Sequence, residues 1–256
     1  MKILSILSKK SSAFSLLEVL VAISVLSILL VVLLNIVQNA TSLWRRSESK
    51  VEAYREARAA IQVINADMKN ILATTNMNFF RTNLTNSQNL GFLATLPSTF
   101  QNTNSLSDVC TVGYFRAYEN KSPVAGSSGR QSYNLYRYFV ESNETFTNLQ
   151  SNPSQALTQS FDTNHFEILA RNVISFSASY FITNASGTLT PWTQSASIPT
   201  PHLVEITLTA VNNERTMRFD PRSSASQWDN FATNTNSADY LQNTKTFRTR
   251  IPINTP

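Results

Sequence analysis

Cysteine, histidine and glycine are scarce in this chain, and their scarcity excludes several kinds of site. The 256 residues include one cysteine, two histidines and five glycines. Cys110 alone forms neither an intramolecular disulfide nor a thiolate metal site, so we expect a buried side chain in a strand. His165 and His202 lack any paired-ligand spacing, and we expect both to be structural or solvated. The sequence therefore predicts no cofactor, no metal site and no catalytic residue.

Charge is also sparse, and its positive excess is local. Charged residues make up 14% of the chain, and the formal net charge is +5. Lys2, Lys9 and Lys10 lie in residues 1–13, which contain no acid, and without these lysines the net charge falls to +2. No basic stripe with interleaved aromatic residues follows. A nucleic-acid partner is therefore not expected.

Glycine and proline are absent from residues 1–90, so nothing there interrupts a helix. From Phe14 to Leu34 every residue is apolar or small except Glu18. As a helix this run would rise roughly 31 Å, which matches the hydrocarbon thickness of a bilayer. The run is therefore predicted to span a membrane.

Three kinds of N-terminal segment compete to explain this run. An ordinary secretory signal has a shorter apolar core and a small-x-small cleavage site, but Gln38 stands where a small residue is required. A plain uncleaved anchor has the right length but leaves Glu18 unexplained, because a carboxylate within a membrane helix costs at least about 2.5–3.5 kcal/mol. The third kind of segment is a short basic leader followed by the apolar run, in which a peptidase cuts the chain just before the run and removes the leader.

The third kind is favoured by the stretch KKSSAFSLLEVL at residues 9–20. This stretch resembles the N-terminus of type IV pilins and type II secretion pseudopilins. The resemblance implies that Lys9 and Lys10 belong to a leader, that prepilin peptidase cuts between Ala13 and Phe14, and that the new amine of Phe14 is N-methylated. Ala13 departs from the family's usual glycine, and this departure bears on the efficiency of processing.

Glu18 is the glutamate of the motif, and the resemblance implies a role in filament assembly. Cleavage would create a cationic amine at Phe14, which lies four residues before Glu18 on the same helix face. A carboxylate in apolar surroundings either takes up a proton or pairs with a cation. The pair can form within one subunit or between neighbours. The alternative is a glutamate close enough to the membrane surface to stay hydrated.

Beyond the span the helix is predicted to continue in amphipathic form. Apolar residues recur at steps of three and four and predict a stripe that packs on a globular domain: Val51, Tyr54, Ile61, Ile64, Met68 and Ile71. The charged residues between 48 and 56 are expected on a solvated side. The predicted divisions are a leader (1–13), a transmembrane helix (14–37), its amphipathic continuation (38–73) and a β-rich domain (74–256).

Alternating and β-branched patterns predict strands in the last of these divisions, at residues 109–118, 133–140, 166–182, 202–211 and 246–253. Polar segments at residues 74–106, 143–164 and 220–243 are expected to be irregular. A helix followed by antiparallel strands indicates an α+β fold, in which one face of a sheet packs on the long N-terminal helix.

The second half of the chain carries a further resemblance. LARNVISFSASYF at residues 169–181, Trp192, PHLVEITLTA at 201–210 and FRTRIPI at 247–253 resemble J-type minor pseudopilins and related minor pilins. YREARAAIQVI at residues 54–64 adds a resemblance to the Verru_Chthon cassette proteins, particularly the C type. These resemblances imply a minor subunit.

Two patterns elsewhere fall short of known chemistry. Residues 126–129 lack the GxSxG order of a hydrolase elbow. Asp220, Asp229, Asp239 and residues 162–164 offer oxygen ligands for calcium, but their spacing is far from that of an EF-hand.

The leading hypothesis is a structural minor pilin or pseudopilin, not an enzyme. Its partners would be other pilin or pseudopilin subunits, prepilin peptidase and the inner membrane. The family implies that the C-terminal domain is extracytoplasmic, in the periplasm or in a cell-surface filament. The distribution of Lys and Arg on the two sides of the span indicates the orientation only weakly, because Arg45 and Arg46 follow the span. The alternative is a membrane-anchored adhesin or ligand-binding module. An anchored hydrolase ranks last because no nucleophile–base set is evident.

Overall fold

Two compact units make up the chain, Met1–Glu48 and Ser49–Pro256. The computed structural model describes residues 15–72, 89–96, 107–119, 132–151, 166–184, 186–192, 201–216, 218–219 and 225–253. Helix α1 (Leu16–Lys69) is 54 residues long and contributes residues to both units. The long N-terminal helix that the sequence predicts is therefore confirmed.

In the first unit, α1 presents apolar side chains on all sides. Every large apolar side chain between Leu16 and Val37 is exposed. The hydroxyls of Ser24 and Ser27 each donate to the carbonyl oxygen four residues earlier, at 2.8 Å, so they bring no unsatisfied donor into an apolar environment. Among the described residues, α1 is the one helix long and apolar enough to cross a membrane.

The second unit contains two four-stranded antiparallel sheets. The first, in the order β1-β2-β3-β4, consists of β1 (Asn89–Thr95), β2 (Val109–Glu119), β3 (Ser132–Val140) and β4 (Phe166–Ala170). The second, in the order β6-β5-β7-β8, consists of β5 (Val173–Thr183), β6 (Leu189–Pro191), β7 (Leu203–Val211) and β8 (Thr244–Pro252). The short helices are α2 (Ser142–Ser151), α3 (Asn213–Thr216), α4 (Ser226–Thr233) and α5 (Ala238–Asn243).

Alternation along β7 decides which of its side chains enter the core. Val204, Ile206 and Leu208 are fully buried, whereas Glu205 and Thr207 between them are partly exposed. This two-residue period is the one expected of a strand with one covered face. The alternation read from the sequence is therefore confirmed for this strand.

The C-terminal part of α1 packs on the sheets through small residues. Ala53, Ala57, Ala60, Ile64 and Met68 are all buried and recur at steps of three and four residues. Alanines let the helix backbone approach its neighbours closely, because their side chains occupy little space. The fold is α+β, with this part of the long helix packed on antiparallel sheets, as the sequence predicts.

The stripe predicted on α1 is confirmed except at its first residue. Ile64 and Met68 are buried, and Ile61 and Ile71 are partly buried against the same core. Val51 is 63% exposed, so the stripe does not begin there. Three buried alanines, whose contribution to an apolar pattern is small, complete the observed contact.

The described strands form two sheets, whereas the sequence led us to expect one. The strand region predicted at residues 166–182 is broken at Arg171 and Asn172, between β4 and β5. Asn172 has a φ of 59°, in the left-handed region that asparagine tolerates better than most residues. The chain turns there, so β4 pairs with β3 in one sheet and β5 pairs with β7 in the other.

Ordered elements also occur in segments that were expected to be irregular. β1 lies within residues 74–106, all of α2 except Ser142 lies within 143–164, and α4 and α5 lie within 220–243. In α4, only Trp228 and Phe231 are buried, and they pack with Phe219 in a separate apolar cluster. A helix such as α4 is held by few apolar residues, so it is not recognised in a segment whose average composition is polar.

Candidate functional site

Glu18 lies in the first turn of α1 with its side chain exposed. The amides of Glu18 and Val19 donate to the carbonyl of Ser15 at 2.9 and 3.2 Å, which begins the helix. A carboxylate in the first turn is stabilised by the partial positive charge of the helix N-terminus. Glu18 is thus an exposed acidic residue at the N-terminal end of the apolar helix. No ion pair of Glu18 occurs among the residues that the structure describes.

The other residues of the motif lie outside the described residues. These are Lys9, Lys10, Ala13 and Phe14. The proposed cleavage site, the N-methylated amine and its pairing with Glu18 therefore stay predictions from the sequence.

An acidic residue on the buried face of α1 was missed in the sequence analysis. The side chain of Asp67 is only 8% exposed and accepts two hydrogen bonds from Arg137 of β3, from Nε at 2.8 Å and from Nη2 at 3.2 Å. The hydroxyl of Tyr114 of β2 donates to the same carboxylate. Glu167 of β4 accepts from Nη1 of Arg137 at 3.1 Å. This group is called the Asp67 network below, and it joins α1 to three strands of the first sheet.

The electrostatics of the Asp67 network favour its charged and hydrogen-bonded state. Burial raises the pKa of Tyr114 well above its usual value, and the neighbouring charge of Asp67 raises it further, so this hydroxyl keeps its proton. Burial alone would lower the pKa of Arg137, but the hydrogen bond and charge of Asp67 outweigh it and the net pKa is raised. The network holds the helix on the sheet.

A sequence signal for part of the network did exist. Asp67 follows Ile64 by three residues, at a phase of the helix occupied by buried side chains. On β3, Arg137 shares the phase of buried Leu135, but the opposite phase is the more fully buried one. The inward position of Asp67 was therefore readable from the helix phase, whereas its pairing with Arg137 was not.

Further contacts of α1 involve the turn between β4 and β5, helix α3 and strand β8. The carboxylate of Glu56 accepts the backbone N–H of Arg171 at 3.1 Å and lies 3.5 Å from its guanidinium. Glu52 accepts from the side-chain amide of Asn213 at 3.3 Å. The ring of Tyr54 packs edge-on against Phe247 of β8, with centroids 6.0 Å apart. The charged side of the helix is therefore solvent-accessible as expected, and two of its glutamates also hydrogen-bond to the domain.

Cys110 and His202 have structural positions. The thiol of Cys110 is buried in β2 and donates to the carbonyl of Ala94 at 3.4 Å, and burial raises its pKa to about 12, with the charge of Asp67 as a lesser cause. Nδ1 of His202 accepts the backbone N–H of Thr183 at 3.1 Å. The burial of Cys110 is confirmed, and His202 is an exposed side chain with a hydrogen bond to the backbone.

The calcium hypothesis gains no support from the described residues. Asp229 accepts from the hydroxyl of Tyr133 at 3.0 Å, and Asp239 pairs with Arg215 at 2.8 Å. Within the described ranges, no group of three or more histidine, cysteine or acidic residues could hold a metal ion. His165, Asp220 and residues 126–129 and 162–164 fall in parts of the chain that the structure does not describe.

The comparison with known families agrees with the motif at the N-terminus. Residues 8–34 match the model of the prokaryotic N-terminal methylation motif. No curated protein and no solved structure shows a significant match to the chain. The proteins that carry this motif are structural rather than enzymatic. The match therefore supports a pilin-like or pseudopilin-like substrate of prepilin peptidase, anchored in the membrane by a single apolar helix.

Proposed function

We propose that the chain is a structural minor pilin or pseudopilin of a bacterial type IV pilus or type II secretion-like filament, and that it has no enzymatic activity. The observation that carries this proposal is the match of residues 8–34 to the methylation motif, together with Glu18 in the first turn of an apolar helix. The J-type resemblance of the second half of the chain supports the minor role.

In this proposal, prepilin peptidase removes residues 1–13 and the new amine of Phe14 is methylated. The domain that begins beyond the span then lies on the extracytoplasmic side. Other pilin or pseudopilin subunits surround the apolar helix in place of lipid. The exposed side chains between Leu16 and Val37 suit both environments, because neither lipid nor a bundle of apolar helices contains water.

Glu18 sets the register of the incoming subunit. A carboxylate four residues from a free amine lies roughly 6 Å along the helix axis from it, on the same face. A neighbouring subunit can supply that amine instead, and the pair then forms only at one axial offset. Because an unpaired carboxylate is costly in apolar surroundings, other offsets are disfavoured by several kcal/mol.

The role of Glu18 is tested with Glu18→Ala in a host that has prepilin peptidase and a filament machinery. We expect the variant to insert into the membrane and to be cleaved normally. Its amount in the sheared filament fraction should fall by more than about tenfold, because losing one partner of a charge pair in apolar surroundings costs more than about 1.4 kcal/mol. Ser27→Ala, which removes a polar group already satisfied within the helix, is the matched control and should assemble normally. Wild-type levels of Glu18→Ala in the filament would remove this role.

A further inference from the structure

One turn of α1 beyond the apolar run differs in chemistry from both of its neighbours. Leu43, Trp44, Arg45 and Arg46 are consecutive and exposed, and the exposed fractions of Leu43 and Trp44 are 63% and 75%. Consecutive helical residues are separated by about 100°, so these four side chains project around the whole circumference of the helix at one level. Residues 43–46 are called the interfacial turn below.

The level of the interfacial turn follows from the helix rise. From Glu18 to Trp44 the helix rises roughly 39 Å, or about 37 Å across the membrane at the average tilt of about 20°. The hydrocarbon core takes about 30 Å of this, and the headgroups extend the bilayer to about 40–45 Å. With Glu18 at one boundary of the core, Trp44 therefore lies roughly 7 Å beyond the other, among the headgroups.

The residues between the apolar run and the turn are consistent with this level. The segment from Gln38 to Ser42 is polar or small. The hydroxyl of Thr41 donates to the carbonyl of Val37 at 2.8 Å, and that of Ser42 to the carbonyl of Asn39 at 2.9 Å. The helix can therefore cross the boundary of the hydrocarbon core without an unsatisfied hydroxyl.

We propose that the interfacial turn binds phospholipid headgroups, with a preference for anionic lipids, on the membrane face where the span ends. Tryptophan prefers this layer because its ring is apolar and its indole N–H is polar. Each guanidinium binds phosphate oxygens through two parallel hydrogen bonds, and its apolar stem lies along the acyl boundary. The turn thereby fixes how deep the helix sits.

A second copy of the chain is the competing occupant, and the charges disfavour it. A neighbouring helix covers one side of the turn, whereas lipid surrounds it, and the four side chains point to all sides. Two identical helices would also bring the cations of Arg45 and Arg46 together at the same level, at a cost in repulsion and desolvation. The inference rests on the membrane span but not on filament assembly, so the two can fail separately.

The depth of the interfacial turn in the bilayer is tested by tryptophan fluorescence of the full chain in vesicles of phosphatidylcholine at low protein density. The Trp44 signal is the difference between wild type and Trp44→Phe, which removes the contributions of Trp192 and Trp228. We expect lipids brominated near the headgroup to quench it at least about twofold more than lipids brominated deep in the chain. In the control Trp44→Phe/Leu29→Trp, the indole moves roughly 22 Å inward, to near the middle of the hydrocarbon core, and the order should reverse.

The headgroup preference is tested with the same signal. Brominated phosphatidylglycerol should quench Trp44 more than brominated phosphatidylcholine at equal mole fraction, by up to about fivefold per arginine. Arg45→Gln/Arg46→Gln should remove the difference, whereas Arg55→Gln/Arg58→Gln, in the second unit, should not.

Three results would overturn the proposal. The first is quenching of Trp44 by aqueous iodide but not by brominated lipid, which would place the turn in water. The second is equal quenching by the two brominated lipids. The third is shielding from both lipid and iodide that increases with protein density, which would identify a second copy as the occupant.

Discussion

Arg137 of β3 binds both carboxylate oxygens of Asp67 on α1, through Nε at 2.8 Å and Nη2 at 3.2 Å. The side chains are only 16% and 8% exposed, respectively. Removing one partner of a buried pair leaves the other charge desolvated, which is costlier than losing an exposed pair. The attachment of the helix to the first sheet therefore depends on this contact.

Asp67→Asn should lower the free energy of unfolding by about 3 kcal/mol, because the Arg137 guanidinium keeps its burial but loses its counter-charge. The measurement is denaturant unfolding of the full chain in detergent, followed by the fluorescence of buried Trp228.

Glu205→Gln is the matched control for Asp67→Asn. Glu205 pairs with Arg248 and Arg250, whose side chains are 62% and 59% exposed. The Glu205 side chain is only 12% exposed, but its two arginines stay in water without it. No buried charge is left unpaired, so its loss should cost about 1 kcal/mol or less. Equal effects of the two substitutions would contradict the importance given to the Asp67 network.

The close approach of α1 to the sheets predicts a strong difference between neighbouring alanines. Ala57 is fully buried, whereas Ala59 is exposed on the same helix. Ala57→Leu should destabilise the fold by about 1–3 kcal/mol, because the added atoms have no space in the core. Ala59→Leu should change the free energy of unfolding by less than about 0.5 kcal/mol. A thermal or denaturant melt of both variants makes the comparison, and a neutral Ala57→Leu would show that the contact is loose.

Alkaline pH should weaken the fold partly through Tyr114. Its pKa is raised in the folded state, so the unfolded chain loses this proton first and stability falls as pH rises above the ordinary value near 10. The contribution of Tyr114 is fully present below that pH and declines by up to about 1.4 kcal/mol per pH unit above it. Unfolding measured from pH 8 to 11 should therefore show a shallower decline for Tyr114→Phe than for wild type. Parallel declines would contradict this assignment.

Cys110 should be unreactive in the folded chain. Burial raises its pKa to about 12, and its thiol faces the carbonyl of Ala94 on β1. A maleimide should modify it only after denaturant opens the β1–β2 pair. In the control Cys110→Ala/Gln62→Cys, the new thiol lies at an exposed helical position and should react at once. Rapid labelling of native Cys110 would show that the edge of the first sheet opens readily.

Local patterns predicted the long helix and several strands well. The helix needs only an uninterrupted apolar run, and strands such as β7 need only alternation, so each can be recognised without knowing its partners. β1 could not be recognised in this way, because its assignment depends on pairing with β2 across a long connection. The break at Asn172 was missed because a single left-handed residue leaves the alternation on both sides intact.

Of the two acidic residues discussed on α1, Glu18 could be singled out from the sequence, whereas Asp67 could not. Glu18 stands out because one acid in an apolar run has no ordinary explanation. Asp67 does not stand out by composition, because it follows a charged segment. It is buried because it lies on the same helix face as the buried alanines. Recognising it required the register of both α1 and β3, which no single segment determines.

The central claim is tested most directly by the mass of the mature N-terminus. The full chain is expressed with prepilin peptidase, extracted from membranes and measured intact, with Ala13→Arg as the variant whose side chain should block cleavage. The account predicts a chain that begins at Phe14 and carries one added methyl group, and an Ala13→Arg chain that keeps residues 1–13. A wild-type chain that still begins at Met1 in the presence of active peptidase would contradict it.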